Sequence, residues 1–239
     1  MSDSNLESTG ANWEWKRSFE VALYTLLLNA ILSYLLNIIL SSMSDQLKIQ
    51  ILGSPVGTAI MGTSEVLLAI PLLVYTRKLR ITRHQLGMRA GNWTQVLADM
   101  AIGGIIGFSM IPISSIASFL NEMVLGPQPN AEHNVAAFTV TSPLELVLLL
   151  FSITIVVAPV EEIIMRGFVQ QGFEISYGDP IGLVAASLFF SVMHLSLWSI
   201  FPLTMLGIML GLCFRIRHGR ILAPVVSHAL YMVFLIVSY

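Results

Sequence analysis

Ionisable side chains are costly inside a bilayer, so the few that interrupt long apolar stretches are where chemistry is to be sought. Here they are Glu65, Asp99, Glu145, Glu161, Glu162, Arg166, His194 and His228. The run Glu161-Glu162-Ile163-Ile164-Met165-Arg166 is the most informative. On a helix, Glu162 and Arg166 share a face at i,i+4, where carboxylate and guanidinium pair. Glu161 is rotated by about 100° from its neighbour and can project into a cavity as an unpaired carboxylate, the state a general base requires. The competing reading of this run is a charge cluster at a membrane edge. Phe190 and His194 share a helix face, with Trp198 four residues further on, and His228 lies in the last apolar segment, ahead of Tyr231 and Met232. Each histidine alone reads as a hydrogen-bonded packing residue; beside a double glutamate the pair points to a site. One Glu and two His suit either a water-activating base with oxyanion donors or a three-ligand zinc site with an open position. H-E-x-x-H and G-x-S-x-G are both absent, which disfavours the common zinc-helix protease and the serine nucleophile elbow.

The elements that must carry these groups are membrane spans. Of the 239 residues 55% are hydrophobic and only 11% charged, against about 25% charged in an ordinary soluble domain. Twelve basic and fourteen acidic residues leave a formal net charge of -2, too small a field to attract nucleic acid. The single cysteine, Cys213, excludes an intramolecular disulfide framework. Crossing the hydrocarbon takes about 20 apolar residues. Segments 21–40, 57–75 and 97–120 meet that length, the second with Pro71 as a kink and the third with Gly103 and Gly104 for close helix contact. A fourth starts at Ser142-Pro143-Leu144-Glu145, a capping box with proline at the first helical position, and runs to about residue 173. Segments 179–198, 200–216 and 221–239 complete seven, and Gly207 and Gly211 form a small-xxx-small face on the sixth. The expected fold is an all-α polytopic transmembrane bundle of about seven spans. Residues 1–18 form a tail, 19–120 three helices with a basic loop at 76–96, and 142–239 a core of four helices.

Arg77, Lys78, Arg80, Arg83 and Arg89 place the second loop in the cytoplasm, with Arg215, Arg217 and Arg220 returning to that side. The acidic 121–141 loop, with Glu122 and Glu132, is then external. The N-terminus is expected in the cytoplasm and the protein in the plasma membrane. The first apolar stretch is too long for a cleaved signal peptide. Glu145 reads as a cap and Asp99 as a helix-dipole residue; Glu65 finds no partner by spacing. If segment four is a simple span, Glu161 lies near its inner end and cannot meet His194, about 21 Å along the next. The segment must instead start at or beyond the outer interface, with 174–179 buried in protein or lining a wet cavity.

E-E-x-x-x-R, then F-x-x-x-H, then a histidine in the final hydrophobic span, in this order over residues 142–239, resembles the CPBP family. These are the CAAX prenyl endopeptidase and bacteriocin-processing intramembrane proteases, also called Abi. Leu86-Gly87-Met88-Arg89 looks like a segment that bacterial members carry ahead of the core. The resemblance implies an intramembrane endopeptidase acting near the membrane surface. Glu161 and His194 would activate water, Glu162 and Arg166 support the site, and His228 hold the oxyanion. An older reading of the family makes Glu161, His194 and His228 ligands of a divalent metal such as zinc. The implied partners are membrane lipid and a peptide or protein substrate, prenylated or a bacteriocin-like precursor. One position departs from the family, whose last motif commonly reads H-x-x-x-N or H-x-x-x-D: the fourth residue after His228 is Met232. Either Tyr231, Ser227 or a backbone group replaces the missing donor, or activity is weakened or lost. In the latter case the chain is a membrane scaffold or immunity-type protein of the same fold.

Overall fold

The computed structural model describes residues 12–44, 54–129 and 139–238, so Glu132 lies outside it. Its described residues form seven helical segments and no strand: α1 (Trp15–Ser41), α2 (Pro55–Leu79), α3 (Trp93–Leu125), α4 (Pro143–Tyr177), α5 (Asp179–Val192), α6 (Leu197–Ile216) and α7 (Leu222–Ser238). All but α5 and α7 are long and apolar enough to cross a membrane. Large apolar residues such as Leu27, Ile31, Ile105, Phe108 and Ile155 lie exposed on the outer faces. In a chain this poor in charge, such a surface is one that lipid covers. The protein is an integral membrane protein.

Local sequence explains where the helices begin and where they deform. Asn92 caps α3 and Ser142 caps α4, each in a complete capping box closed by Gln95 and Glu145 respectively. The expected structural role of Glu145 is thereby met. α4 is 35 residues long, about 52 Å at 1.5 Å per residue, and carries π-helical stretches at Ser152–Val157 and Met165–Gln170. Pro159 has no N–H for the carbonyl of Ile155, inside the first stretch, and such a loss loosens the helical ladder. In α2, Pro71 likewise offers nothing to Leu67, whose carbonyl instead accepts the amide of Ile70 in a 3-10 turn over Glu65–Ala69.

Two boundaries differ from those expected. The fifth helix stops at Val192 rather than near Trp198, and residues 193–196 turn back before α6. His194 therefore sits in a turn, and Trp198, on α6, shares no helix face with it. No glycine or proline announces the break; Leu195 itself takes the left-handed conformation, at φ 52°. The expected tail at 1–18 is docked from residue 13 onward. Trp13 is buried and stacks on Phe168 at 4.7 Å between centroids, while its Nε1 and the Ser18 hydroxyl donate to the Phe168 carbonyl.

The two basic segments lie at the same end of the bundle. Asp99, fully buried, is gripped by Arg217 at 2.6 Å and Arg220 at 2.7 Å. The expected dipole residue is thus the centre of an ionic clamp between α3 and the α6–α7 turn. The loop before α3 joins this clamp: Gly87, at φ 79°, accepts the Ile221 amide through its carbonyl, and a side chain there would strike Gly219.

Small residues set how closely α7 approaches. A Cβ on Gly103 would meet the Ala223 carbonyl at 2.7 Å, and one on Gly107 the Ser227 carbonyl at 2.8 Å, whereas one on Gly104 would just reach Leu230 at 4.0 Å. The close-contact stripe is therefore Gly103 and Gly107, one turn apart, not the expected adjacent pair. Gly207 and Gly211 do form the expected face, against Ser187 and Leu183 of α5. Overpacking typically costs about 1–3 kcal/mol. Gly107→Val should therefore lower the unfolding temperature in detergent, while Gly104→Ala should leave it unchanged; thermal melts of the two variants check this.

Candidate active site

Glu162 is fully buried and is held from two sides. Its Oε2 accepts from Arg166 Nε at 3.0 Å, the expected i,i+4 pair, and its Oε1 lies 3.0 Å from His228 Nδ1 on α7. Because a carboxylate can only accept, Nδ1 of His228 is protonated, and Nε2 is turned to the other side. The remaining Arg166 nitrogens have no hydrogen-bond partner, but the guanidinium carbon lies 5.1 Å from the centre of the Phe190 ring. That is a cation–π contact in a desolvated setting. Phe190 also meets both histidine rings edge-on, His194 at 5.2 Å and His228 at 5.9 Å between centroids. One buried ring thus spaces the guanidinium and the two imidazoles.

Glu161 behaves differently from its neighbour. It is 9% exposed, and its Oε2 is buried with no donor, 3.8 Å from His228 Nε2 and too far for a hydrogen bond. It faces a cavity of about 250 Å³ lined also by His194, His228, Glu65, Tyr231 and Met232, with Met110, Phe190 and Leu206 among its apolar walls. The imidazole of His194 is exposed, and its Nδ1 lies 2.9 Å from the carbonyl of Phe190. A carbonyl accepts, so Nδ1 holds the proton and Nε2 is left basic. The geometric difficulty posed by a simple fourth span disappears: α4 runs to Tyr177, and α5 ends in mid-bundle. Asn29, halfway along α1, donates to the Met193 carbonyl next to His194. Of the 174–179 stretch expected to be buried or to line a wet cavity, only Glu174 is buried, bonded to Gln170 and 3.8 Å from Arg215, while Ile175, Tyr177 and Gly178 are exposed.

All five residues singled out in the sequence therefore belong to one neighbourhood, three of them lining the cavity and two bracing it from behind. Of the substitutes considered for the donor missing at Met232, Ser227 is turned away. Its hydroxyl donates to the Ala223 carbonyl and lies 3.6 Å from Cys213. Tyr231 does line the cavity. Spacing gave no means of assigning Glu65, which arrives from α2 with its carboxyl against that of Glu161. The metal alternative fits less well: among the described residues no three His, Cys, Asp or Glu side chains gather so as to hold an ion.

Removing one member of a buried pair typically costs about 3–5 kcal/mol, because the other charge stays behind. Glu162→Gln should lower stability by that order and free the His228 ring. The double variant Glu162→Leu/Arg166→Met should lose less than the two single changes added together, and unfolding in detergent measures the cycle.

No curated protein and no solved structure matches the chain. A buried Glu–Arg pair oriented toward one histidine, a free carboxyl beside it and a second histidine at the cavity are what the sequence order led us to expect of this family. Residues 143–234 match the family model described as type II CAAX prenyl endopeptidase Rce1-like.

Proposed function

We propose that the protein is an intramembrane endopeptidase that hydrolyses a peptide bond near the membrane surface, with a water activated by Glu161 and His194. The observation that carries this reading is the cavity into which Glu161 presents an unpaired carboxylate oxygen beside His194 and His228. A water between Glu161 and His194 would lose its proton as it attacks the carbonyl carbon of the scissile bond. Glu162, backed by Arg166, holds His228 so that Nε2 faces the cavity, where an imidazolium N–H donates to the oxygen on which negative charge develops. When the C–N bond breaks, the proton taken from water passes to the leaving amine. Phe190 and the surrounding Leu and Met side chains exclude bulk water, which strengthens each of these interactions.

The substrate class we infer is a peptide or protein chain reaching the cavity from the bilayer, a prenylated tail among the candidates. The apolar walls suit a lipid-modified or hydrophobic segment. The inactive-scaffold alternative is not favoured: an intact Arg166–Glu162–His228 chain and an unpaired Glu161 are expensive to keep in lipid for binding alone. We place the N-terminus and the basic end in the cytoplasm, on the positive-inside rule.

Loss of a general base costs typically about 10²–10⁴-fold in rate. Glu161→Gln and His194→Ala, purified in detergent and given prenylated and unprenylated peptides, should each lose activity on that scale while melting close to the parent protein. Equal cleavage by parent and variants rejects the assigned roles.

A further inference from the structure

Glu65 comes from α2, outside the residues that match the Rce1-like domain. The 3-10 turn ahead of Pro71 starts at this residue, so a local break in the helix carries the carboxyl to the cavity. There it lies against the carboxyl of Glu161, and the two share the space with His194 and His228. Glu65 Oε2 and Glu161 Oε2 are both buried without a donor. Two orphaned acceptors on the wall of one cavity are accounted for together by one proton held between them, because a protonated carboxyl donates where a carboxylate can only accept. Two adjacent negative charges in an apolar cavity would repel, and carboxyl pairs placed in this way keep one proton between them.

The same cavity has a shortage of donors. Hydrolysis needs hydrogen bonds to the oxygen that becomes negative, and His228 supplies one from Nε2. One turn along α7 the wall is Met232, whose thioether donates nothing. Resting on the hydrolytic reading above, we propose that Glu65 is a further catalytic residue: its carboxyl shares one proton with Glu161 at rest and, as Glu161 takes the proton of the attacking water, turns that O–H to the developing oxyanion, supplying the hydrogen bond that Met232 cannot. In the attacking step the water oxygen bonds to the carbonyl carbon, its proton goes to Glu161, and the carbonyl electron pair moves onto the oxygen held by His228 and Glu65. Collapse of the adduct restores the carbonyl, breaks the C–N bond and sends the proton from Glu161 to the amine. One water is consumed, and Glu65 keeps its proton throughout.

The test combines a readout that needs no turnover with one that does. Infrared difference spectra of the purified protein should contain a carboxylic-acid C=O band that Glu65→Gln removes. If Glu65→Gln leaves the carboxylic-acid region unchanged, the proposal is overturned whether or not the protein is a protease. In cleavage assays Glu65→Ala should lose about a hundredfold or more in kcat with little change in KM, the size expected for one oxyanion donor. Glu65→Gln, whose amide still donates, should keep most of the rate, and Met232→Asn should restore much of the rate of Glu65→Ala. The proposal fails while the protease reading stands if Glu161→Gln is inactive but Glu65→Ala cleaves like the parent. It fails equally if Glu65→Gln is as impaired as Glu65→Ala, or if Met232→Asn rescues Tyr231→Phe and not Glu65→Ala.

Discussion

A charge inside a lipid slab has to be matched before anything else about the fold can be settled, and here the match is the buried chain from Arg166 through Glu162 to His228. Arg166 and Glu162 are wholly inaccessible to solvent, so neither tolerates loss of the other. The pair alone would hold α4 rigid; the third member ties α4 to α7 and fixes which face of the His228 ring meets the cavity. The remaining contacts of α7 follow from this. It can sit where Glu162 reaches it because Gly103 and Gly107 let α3 lie backbone to backbone against it. The Asp99 clamp to Arg217 and Arg220 then fastens the turn that leads into it.

Regular helices would not deliver the cavity. Glu161 and Glu162 are adjacent, yet one must face a brace and the other an open space. The short α-helical stretch that carries them, Ala158–Ile164, lies between two π-helical stretches. Extra residues per turn on either side rotate this short piece independently of the rest of α4, and π-bulges of this kind are frequent at functional sites. The 3-10 turn at Glu65 does the same for α2 in the opposite sense, by tightening. In both helices a proline a few residues away withholds the amide that would have restored regularity. The left-handed Leu195 is a third departure, beside His194. A branched side chain in that conformation costs roughly 1–2 kcal/mol. Such departures persist where surrounding packing over-determines them; here the first π-helical stretch and the 3-10 turn contribute residues to the cavity wall, and Leu195 adjoins His194, which also lines it.

The seven helices, the capping boxes and the i,i+4 pair were legible in the sequence because each rests on patterns within a few residues, although only five of the seven are long and apolar enough to span a membrane. The common location of Glu161, Glu162, Arg166, His194 and His228 was legible through the order of motifs. What was hidden depends on distance along the chain. Asp99 looked like a dipole residue because its arginines stand 118 and 121 positions away. Glu65 had no partner by spacing because its neighbour Glu161 is almost a hundred residues on, and only packing of α2 against α4 brings them together. The end of α5 was misplaced for a different reason. Gly and Pro usually announce a turn, whereas residues 193–196 have neither, and tertiary contacts such as Asn29 to the Met193 carbonyl fix the break instead.

A site assembled in this way must reconcile dryness with access to water. Apolar walls make each carboxyl and imidazole interaction stronger, but a hydrolase consumes water at every turnover. The arrangement meets both demands by grading exposure across the cavity. Glu162 and Arg166 are sealed behind the site, Glu161 is nearly so, and His194 is open in its turn at the end of a short helix. A helix of full span would have carried His194 past the cavity or turned it toward lipid. Ending α5 at Val192 leaves residues 193–196 beside the cavity that the carboxyls face, and polar backbone at membrane depth is tolerated where protein or a cavity, not acyl chains, surrounds it. The short fifth helix is thus what brings the His194 imidazole to the cavity that Glu161 faces.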